Sequence, residues 1–172
     1  MHRDPRVMAT LSPPGAPNGG VLSDEETWRF LRRHHDHWDR HGYGLWVFRH
    51  REECRFVGRA GLYNTYVGGN DEVELAYALV AEYWERGLAT EMAEAILAVA
   101  FERLSMTDLV CFTLTTNRAS QRVMEKTGFE YEREVVHAGL PHVLYRIAVS
   151  GWKVPGGGHL FQPPESGDEK IP

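Results

Sequence analysis

The sequence predicts a single α/β domain built around a mixed, mostly antiparallel sheet. Three observations support this fold class. Aromatic and β-branched runs of strand length occur in both halves of the chain, an amphipathic helical pattern covers 88–104, and a continuous apolar run follows at 108–115. Such an apolar run is expected of a strand covered on both faces, and the order strand–helix–strand implies a right-handed parallel crossover.

Length and composition limit the class of protein. The 172 residues are 42% hydrophobic and 25% charged, and a chain of this length can fold without disulfides or a structural metal. A formal net charge of -5 argues against nucleic acid or anionic membranes as partners. Because the sequence has neither a signal-peptide core nor a long apolar span, we expect a cytoplasmic protein. Cys54 and Cys111 adjoin apolar residues, so we expect both to be buried core thiols in a reducing compartment.

A loop and a capped helix are predicted first. Pro, Gly and Asn are concentrated at 12–20, which indicates a mobile loop. Ser23 and Glu26 form a capping box, and the helix that starts there ends near Gly42 and Gly44. Its apolar stripe, expected to face the core, consists of Trp28, Leu31, His35 and Trp38.

Three strands follow this helix. The runs at 45–49 and 55–63 are separated by a short polar segment, which predicts an antiparallel hairpin. A loop at 64–71 then leads to the third strand at 72–80.

The C-terminal half completes the sheet. Leu88, Met92 and Ile96 fall on one face of the helix predicted at 88–104, which the strand at 108–115 follows. Asn117 is a suitable N-cap for a helix at 118–127, and Gly128 is suited to end it. The last strands are predicted at 129–136 and 142–148, and the Gly- and Pro-rich residues beyond 150 are expected to lack fixed structure.

The segment Tyr83-Trp84-Glu85-Arg86-Gly87-Leu88-Ala89-Thr90 lies between a predicted strand and a predicted helix. Gly87 allows a ligand to approach the backbone, Ala89 is small, and the free N–H groups of the first helical turn favour an anion such as pyrophosphate. A tight turn without a ligand would use the same residues, so this segment alone leaves both interpretations open.

A second motif, Asn-Arg-Ala-Ser-Gln-Arg-Val-Met-Glu-Lys-Thr-Gly-Phe at 117–129, follows the next strand. Together with this loop and the Glu-Leu-Ala-Tyr strand at 74–77, it resembles the GNAT superfamily of acetyl-CoA-dependent N-acetyltransferases, and most closely the branch that contains the ribosomal-protein N-terminal acetyltransferases. The resemblance runs from about Asp4 to Ala148. It implies an acetyltransferase domain at 1–150, followed by a tail at 151–172. Trp84 replaces the superfamily's usual Gln or Arg, as is common in this branch.

The resemblance implies a binding site for acetyl-CoA. It would lie in a cleft where the strand ending at Val80 splays from the strand ending at Thr115, with the pantetheine arm hydrogen-bonded to strand backbone and Asn117 and the pyrophosphate on the helix amides. The cofactor-binding residues implied are Leu79, Val80, Arg86, Gly87, Leu88, Ala89, Thr90, Asn117 and Ser120. Arg122 and Lys126 could reach the ribose phosphate, or could be solvated cations.

The same resemblance implies two catalytic residues. Glu74 matches the family position of a carboxylate that accepts the amine proton, although Glu72 lies on the same strand face and either could be a solvated surface carboxylate. Ser120 matches the position that protonates the departing thiolate, and it could equally bond to backbone at the helix start. Backbone N–H groups at the end of the third strand would stabilise the oxyanion.

Other polar and aromatic residues carry weaker interpretations. His34, His37 and His41 lie close together on the first capped helix, but without a companion carboxylate pattern we expect a solvated or substrate-facing surface and no metal site. Trp28 and Trp38 are expected in the core, and like Tyr145 they could touch the acceptor at one edge.

Family members usually begin with a strand and most of a helix that are missing before Asp4, a difference of about twenty residues relative to the resemblance. The strand at 45–49 would then be an unprotected sheet edge. Three explanations compete: a true start upstream of Met1, a second protomer that covers the edge as in a homodimer, or a decayed gene copy. We expect the first, because the cofactor motifs downstream are intact.

The resulting hypothesis is direct acetyl transfer from acetyl-CoA to a primary amine, either a protein N-terminus or a small molecule. The acidic balance slightly favours a cationic acceptor. A longer acyl group is one alternative, governed by the space near Ala76 and Ala78. A non-catalytic acyl-CoA-binding or dimerising module is the other.

Overall fold

The computed structural model describes residues 1–12 and 20–153. Four α-helices lie in this part of the chain: α1 (Pro5–Leu11), α2 (Asp24–His41), α3 (Leu88–Ala98) and α4 (Arg118–Lys126). Its strands are β1 (Leu45–Arg49), β2 (Phe56–Val67), β3 (Asn70–Leu79), β4 (Asp108–Leu114), β5 (Glu130–His137) and β6 (Leu140–Ala148). They form one sheet in the order β1-β2-β3-β4-β6-β5, antiparallel except between β3 and β4. The predicted mixed, mostly antiparallel α/β fold is confirmed. The predicted mobile loop and C-terminal tail fall, apart from their end residues, outside the described residues.

The capping box predicted for α2 is present. Ser23 Oγ accepts from the Glu26 backbone N–H at 3.2 Å, and the Glu26 carboxylate accepts from the Ser23 N–H at 2.8 Å. The helix ends at Gly42, which has a left-handed φ of 70°.

The face of α2 predicted to be buried is wrong at three of its four positions. Trp28 is 69% exposed and Leu31 is 50% exposed, while His35 pairs with Asp39 at the surface; only Trp38 is half-buried. The helix instead turns Phe30, His34 and His37 toward β2, where His34 and His37 pack on Tyr63. Because the sheet surface beneath α2 is polar and aromatic, the side chains that pack on it are two imidazoles and Phe30, and not Trp28 or Leu31.

β2 and β3 form one long hairpin, with no loop of the predicted length at 64–71. β2 continues to Val67 and β3 begins at Asn70, directly opposite. The two residues between them, Gly68 and Gly69, have φ values of 60° and 93°. This is the backbone of a two-residue hairpin turn that follows the strand twist, and glycine adopts it without steric cost.

The sheet separates between β3 and β4. These strands share one parallel residue pair, Glu74 with Val110, whereas β4 pairs with β6 along its whole length. Beyond Glu74 the two strands diverge, which leaves a gap that opens toward Leu79 and Leu114. The main core, on the face covered by α3 and α4, includes Leu62, Leu75, Leu97, Leu109 and Met124. The opposite face carries α2.

The remaining elements lie near their predicted positions. α3 ends at Ala98 and continues as a π-helical turn at Val99–Arg103, where one uninterrupted helix was expected. β1 lies at an edge of the sheet and pairs with β2. No helix of the described residues is both long and apolar enough to cross a membrane.

Only one of the two cysteines is a core residue. Cys111 is buried on β4, as expected. Cys54 is exposed, which corrects the prediction: it lies in the connection between β1 and β2 with a φ of 52°, outside the apolar strand that follows it.

Candidate active site

A cavity of about 650 Å³ passes through the gap between β3 and β4. Nearly all of the predicted site residues line it: Glu74, Leu79, Arg86, Gly87, Leu88, Ala89, Thr90, Asn117 and Ser120, together with Arg122, Lys126, Ala76 and Ala78. Val80 is not among its lining residues, nor are Glu72, Trp28, Trp38 and Tyr145. Tyr145 is a core residue whose hydroxyl donates to Glu125 at 3.3 Å, so its predicted pocket contact is wrong.

One end of the cavity is bounded by the N-terminus of α3. Glu85 and Gly87 both have left-handed backbone, with φ values of 60° and 79°. Backbone curvature of this kind, followed by a helix start, turns successive N–H groups toward one point and favours an anion. The N–H groups of Thr90 and Glu91 bond to the Gly87 carbonyl, while no side chain caps the helix. A Cβ built on Gly87 would meet nothing within 4 Å, so this end of the cavity is open.

The inner edge of β3 has backbone groups without strand partners. Val80 has no free backbone group for a ligand, because its N–H donates to the Val57 carbonyl and its carbonyl accepts from the Tyr83 N–H. Hydrogen bonding alternates along a strand, so Leu79 and Tyr77 direct their backbone groups away from β2 and toward the gap. The Leu79 carbonyl accepts from the Trp84 indole at 3.1 Å. Tyr77 and the Leu79 N–H are therefore the groups able to extend hydrogen bonding to a ligand.

Glu74 lies where β3 and β4 begin to separate. Its side chain is on the α2 face of the sheet, since it pairs with Tyr63 and alternates with the core residue Leu75. Burial raises the pKa of Glu74 to about 7, and the charge on Arg59 opposes this shift only in part. Glu74 can therefore exchange a proton near neutral pH.

Glu72 belongs to a different environment, although it shares a strand face with Glu74. Its two carboxylate oxygens accept from the Arg146 guanidinium at 2.7 and 3.1 Å. Arg146 also bonds to Asp108 and Glu132, so these charges connect β3, β4, β5 and β6. Glu72 is therefore a structural ion-pair residue.

Ser120 lies at the start of α4 on the other face of the sheet from Glu74. Its backbone N–H donates to Asn117 Oδ1 at 3.2 Å, which confirms the predicted N-cap. Its hydroxyl is 2.8 Å from the Tyr77 hydroxyl, which also donates to the Ser120 carbonyl at 3.1 Å. Burial raises the pKa of Tyr77, so the phenol stays protonated. Sequence reasoning missed Tyr77, although it is the last residue of the Glu-Leu-Ala-Tyr motif.

The α2 side of the cavity is lined by aromatic and basic side chains: Phe30, His34, Arg59, Tyr63, His137 and His142. The Arg59 guanidinium lies 4.7 Å from the centroid of Phe30. Sequence reasoning missed Arg59; the signal that could have found it is a charged residue within the apolar strand run.

The three α2 histidines that the sequence places close together, His34, His37 and His41, do not share one set of contacts. His37 donates from Nδ1 to the Tyr43 carbonyl at 2.9 Å and accepts at Nε2 from the Asn64 N–H at 3.1 Å. Both of its nitrogens are therefore occupied by backbone groups. His34 faces the cavity, and His41 packs beside His37 and Tyr43.

Comparison with known proteins decides the family. A model described as an acetyltransferase (GNAT) domain matches residues 1–130. This chain belongs to the GNAT acetyltransferase family. The chain is 23% identical over 145 residues to the uncharacterized protein YkkB of Bacillus subtilis, a match that covers 84% of this chain and 80% of that protein.

Two solved structures share the GNAT fold with it. A putative GNAT-family acetyltransferase from Bordetella pertussis superposes with a TM-score of 0.71 at 23% identity, covering 84% of this chain and 87% of that one. A ribosomal-protein-S5-alanine acetyltransferase from Vibrio fischeri superposes with a TM-score of 0.64 at 17% identity, covering 86% and 84%. The predicted resemblance to the GNAT superfamily is thus confirmed, and membership in this family implies acetyl-CoA-dependent acetyl transfer.

Proposed function

We propose that this chain transfers an acetyl group from acetyl-CoA directly to a primary amine. The observation that carries the proposal is the cavity through the gap in the sheet, with Glu74 on the α2 face and the Ser120–Tyr77 hydroxyl pair on the α4 face. A gap of this form lets two substrates bind from opposite faces of the sheet, so that their reacting atoms meet inside it.

The fit of acetyl-CoA rests on three features of the chain. The left-handed backbone at Glu85 and Gly87 and the open space beside Gly87 suit a pyrophosphate. The inner edge of β3, at Tyr77 and Leu79, suits the amides of a pantetheine arm. Arg122 and Lys126 line the same cavity from α4 and add positive charge for a phosphate.

In this proposal acetyl-CoA supplies the acetyl group as an activated thioester. Glu74 accepts a proton from the acceptor amine, whose nitrogen then forms the new C–N bond to the carbonyl carbon. Backbone N–H groups at the end of β3 hydrogen-bond the carbonyl oxygen as negative charge develops on it. The C–S bond breaks, and Ser120 gives the departing sulfur a hydrogen bond and a proton, with Tyr77 holding the serine hydroxyl in position. Ser120 then regains a proton from solvent, and Glu74 releases to solvent the proton that it accepted.

The electrostatics of Glu74 suit a general base. A carboxylate with an ordinary pKa is too weak a base to remove the proton of an ammonium group, whereas a pKa of about 7 narrows that difference. Because burial is the main cause of this shift, the base gains strength from the cavity itself.

Calorimetric titration with acetyl-CoA tests the site. We expect binding by the native chain and its loss in Gly87→Glu, which sets a negative side chain where the pyrophosphate is proposed. Gly69→Glu is the matched control, because Gly69 also has a positive φ and open space but lies in the hairpin turn. Equal binding by the native chain and Gly87→Glu would contradict the site.

Turnover separates an enzyme from a binding module. A panel of primary amines, including peptides with free N-termini, is incubated with acetyl-CoA while free thiol is measured. We expect at least one acceptor to release thiol above the rate of background hydrolysis. A chain that binds acetyl-CoA but acetylates no amine in the panel would instead be the non-catalytic module.

A further inference from the structure

The Arg59 guanidinium lacks a counter-ion in the part of the chain that the structure describes. None of the ion pairs found there includes Arg59, and its Nε is buried with no hydrogen-bond partner. The side chain stacks on Phe30 and lines the α2 side of the cavity. A buried, unpaired cation is costly, so such groups are ordinarily paired with an anion.

The neighbours of Arg59 do not neutralise it. Two carboxylate residues line the cavity, Glu74 and Glu85, and neither forms an ion pair with Arg59. His34 and His2 are neutral at physiological pH, since burial, reinforced by the charge on Arg59, lowers the pKa of each to about 4. Burial lowers the pKa of Arg59 only to about 10, so the guanidinium keeps its charge. The α2 side of the cavity therefore holds a charged guanidinium with no ion-pair partner among the described residues, and the charge on Glu74 acts on it only from a distance.

A second polar atom beside Arg59 also lacks a partner. His34 Nδ1 is buried without a hydrogen bond among the described residues. Its ring packs between Phe30, at 4.1 Å, and Tyr63, at 4.9 Å, so its orientation is set by two aromatic neighbours. A neutral imidazole can donate from Nδ1, which would add a third N–H to those of the guanidinium fork.

We propose that Arg59 and His34 bind a carboxylate of the acceptor, so that the acceptor is a small amine that carries a carboxylate, an amino acid in the broad sense. This inference rests on the proposed function. A guanidinium matches a carboxylate with two parallel hydrogen bonds, and Glu74 on the same sheet face would receive the amine.

The spacing suits one small molecule. Arg59 lies opposite Ala78, four residues along β3 from Glu74, which is roughly 13 Å along the strand. The two long side chains extend into the cavity from the two ends of this interval, which leaves room for an amine and a carboxylate separated by a few bonds. In a protein N-terminus the neighbouring carboxylate is replaced by an amide, so Arg59 favours a free amino acid. It also disfavours a cationic acceptor, because its local charge acts at closer range than the net charge of -5.

The test compares matched acceptors. The protein L-amino acids and β-alanine are each paired with their carboxamides, and kcat/KM is measured by thiol release. We expect the best acceptor to be a carboxylate, preferred over its own carboxamide by at least about tenfold. Arg59→Gln should remove this preference by lowering kcat/KM for the carboxylate more than for its carboxamide, because any change in the pKa of Glu74 affects both acceptors alike. Arg32→Gln, an exposed arginine of α2, is the control and should keep the preference.

Arg59→Lys controls for misfolding. It retains the positive charge but not the parallel N–H groups of the guanidinium, so it should keep a weakened preference for the carboxylate acceptor. Equal use of carboxylates and carboxamides by the native chain, or an equal loss for both in Arg59→Gln, would overturn the inference.

Binding of N-acetyl-L-amino acids, measured by calorimetry on the CoA-saturated chain, separates this inference from the proposed function. Carboxylate binding that disappears in Arg59→Gln would support the inference even if no amine is turned over. Binding of CoA without preferential binding of any carboxylate would overturn it while leaving acetyl transfer intact. If CoA itself does not bind, the proposed function fails, and the same titration on the unloaded chain still decides the inference.

Discussion

Glu74 and Arg59 face the same cavity from neighbouring strands without forming an ion pair. Burial shifts each toward its neutral form, raising the pKa of Glu74 to about 7 and lowering that of Arg59 to about 10. Each side chain also stabilises the charge of the other, because the two opposite charges interact across the cavity. The two side chains therefore influence each other's charge without forming a direct ion pair.

Glu74→Gln should slow acetyl transfer by about a hundredfold or more, the usual contribution of a general base. In the native chain kcat/KM should rise as pH increases through about 7, because the carboxylate form becomes the base. The variant should lack this rise and should bind acetyl-CoA normally by calorimetry. Glu72→Gln is the matched control: it removes an ion pair with Arg146 but should retain the pH dependence. A profile that is unchanged in Glu74→Gln would remove Glu74 as the base.

The same substitution should alter stability in a pH-dependent way. The folded pKa of Glu74 lies above its unfolded value of 4.5, so the native state holds a proton that the unfolded state releases. The free energy of unfolding of the native chain should therefore fall by roughly 1–3 kcal/mol as pH rises from about 4.5 to above 7. Glu74→Gln should lack this loss and be the more stable protein at pH 8, as measured by urea unfolding at several pH values. A constant difference between the two proteins across this range would contradict the shift.

Arg59→Met should stabilise the fold. Methionine keeps much of the length of the side chain and its contact with Phe30. It removes a buried charge for which the described part of the chain offers no ion pair, so we expect a gain of about 1–3 kcal/mol in the free energy of unfolding, measured with urea. The variant should also shift the rise of kcat/KM to higher pH, because Arg59 holds down the pKa of Glu74. Destabilisation by Arg59→Met would indicate that the arginine has a structural partner.

Ser120→Ala should lower kcat without weakening acetyl-CoA binding. Tyr77→Phe should lower kcat less, because Tyr77 acts by holding the serine hydroxyl, and the double variant should be no slower than Ser120→Ala alone. Tyr66→Phe, at an exposed tyrosine of β2, provides the control for loss of a phenol. Independent, multiplying effects of Ser120→Ala and Tyr77→Phe would argue against a shared role. The measurements are steady-state kinetics with a saturating acceptor.

Local motifs predicted the parts of the fold that depend on neighbouring residues. The capping box at Ser23, the cap at Asn117 and the backbone at Gly87 each arise within one turn of chain, and each was found where the sequence indicated it. The gap between β3 and β4 followed from the family resemblance, because a single parallel pair at Glu74 and Val110 leaves no trace in local patterning.

Features that depend on tertiary contact were missed or wrong. The stripe through Trp28 was wrong because the surface under α2 is aromatic and polar, so hydrophobic periodicity selected the solvent face. Cys54 was assigned to the core from its apolar neighbours, but chain reversal exposes it. Arg59 and Tyr77 were missed because their significance depends on what faces them across the cavity. Nothing in the order of residues reveals that a cation on β2 has no ion-pair partner within residues 1–12 and 20–153.

The single residue pair that joins β3 to β4 also bears on how the chain assembles. β1, β2 and β3 are consecutive in sequence and joined by short turns, and β4, α4, β5 and β6 form a second consecutive group. Each group can form early from contacts that are close along the chain, while docking of the two halves closes the longest loop and should come last. The line where they meet holds few backbone hydrogen bonds, so it is also where the folded protein should open most easily. A long, flexible ligand that enters along this line from the side would bridge β3 and β4, and so join two halves of the sheet that form separately.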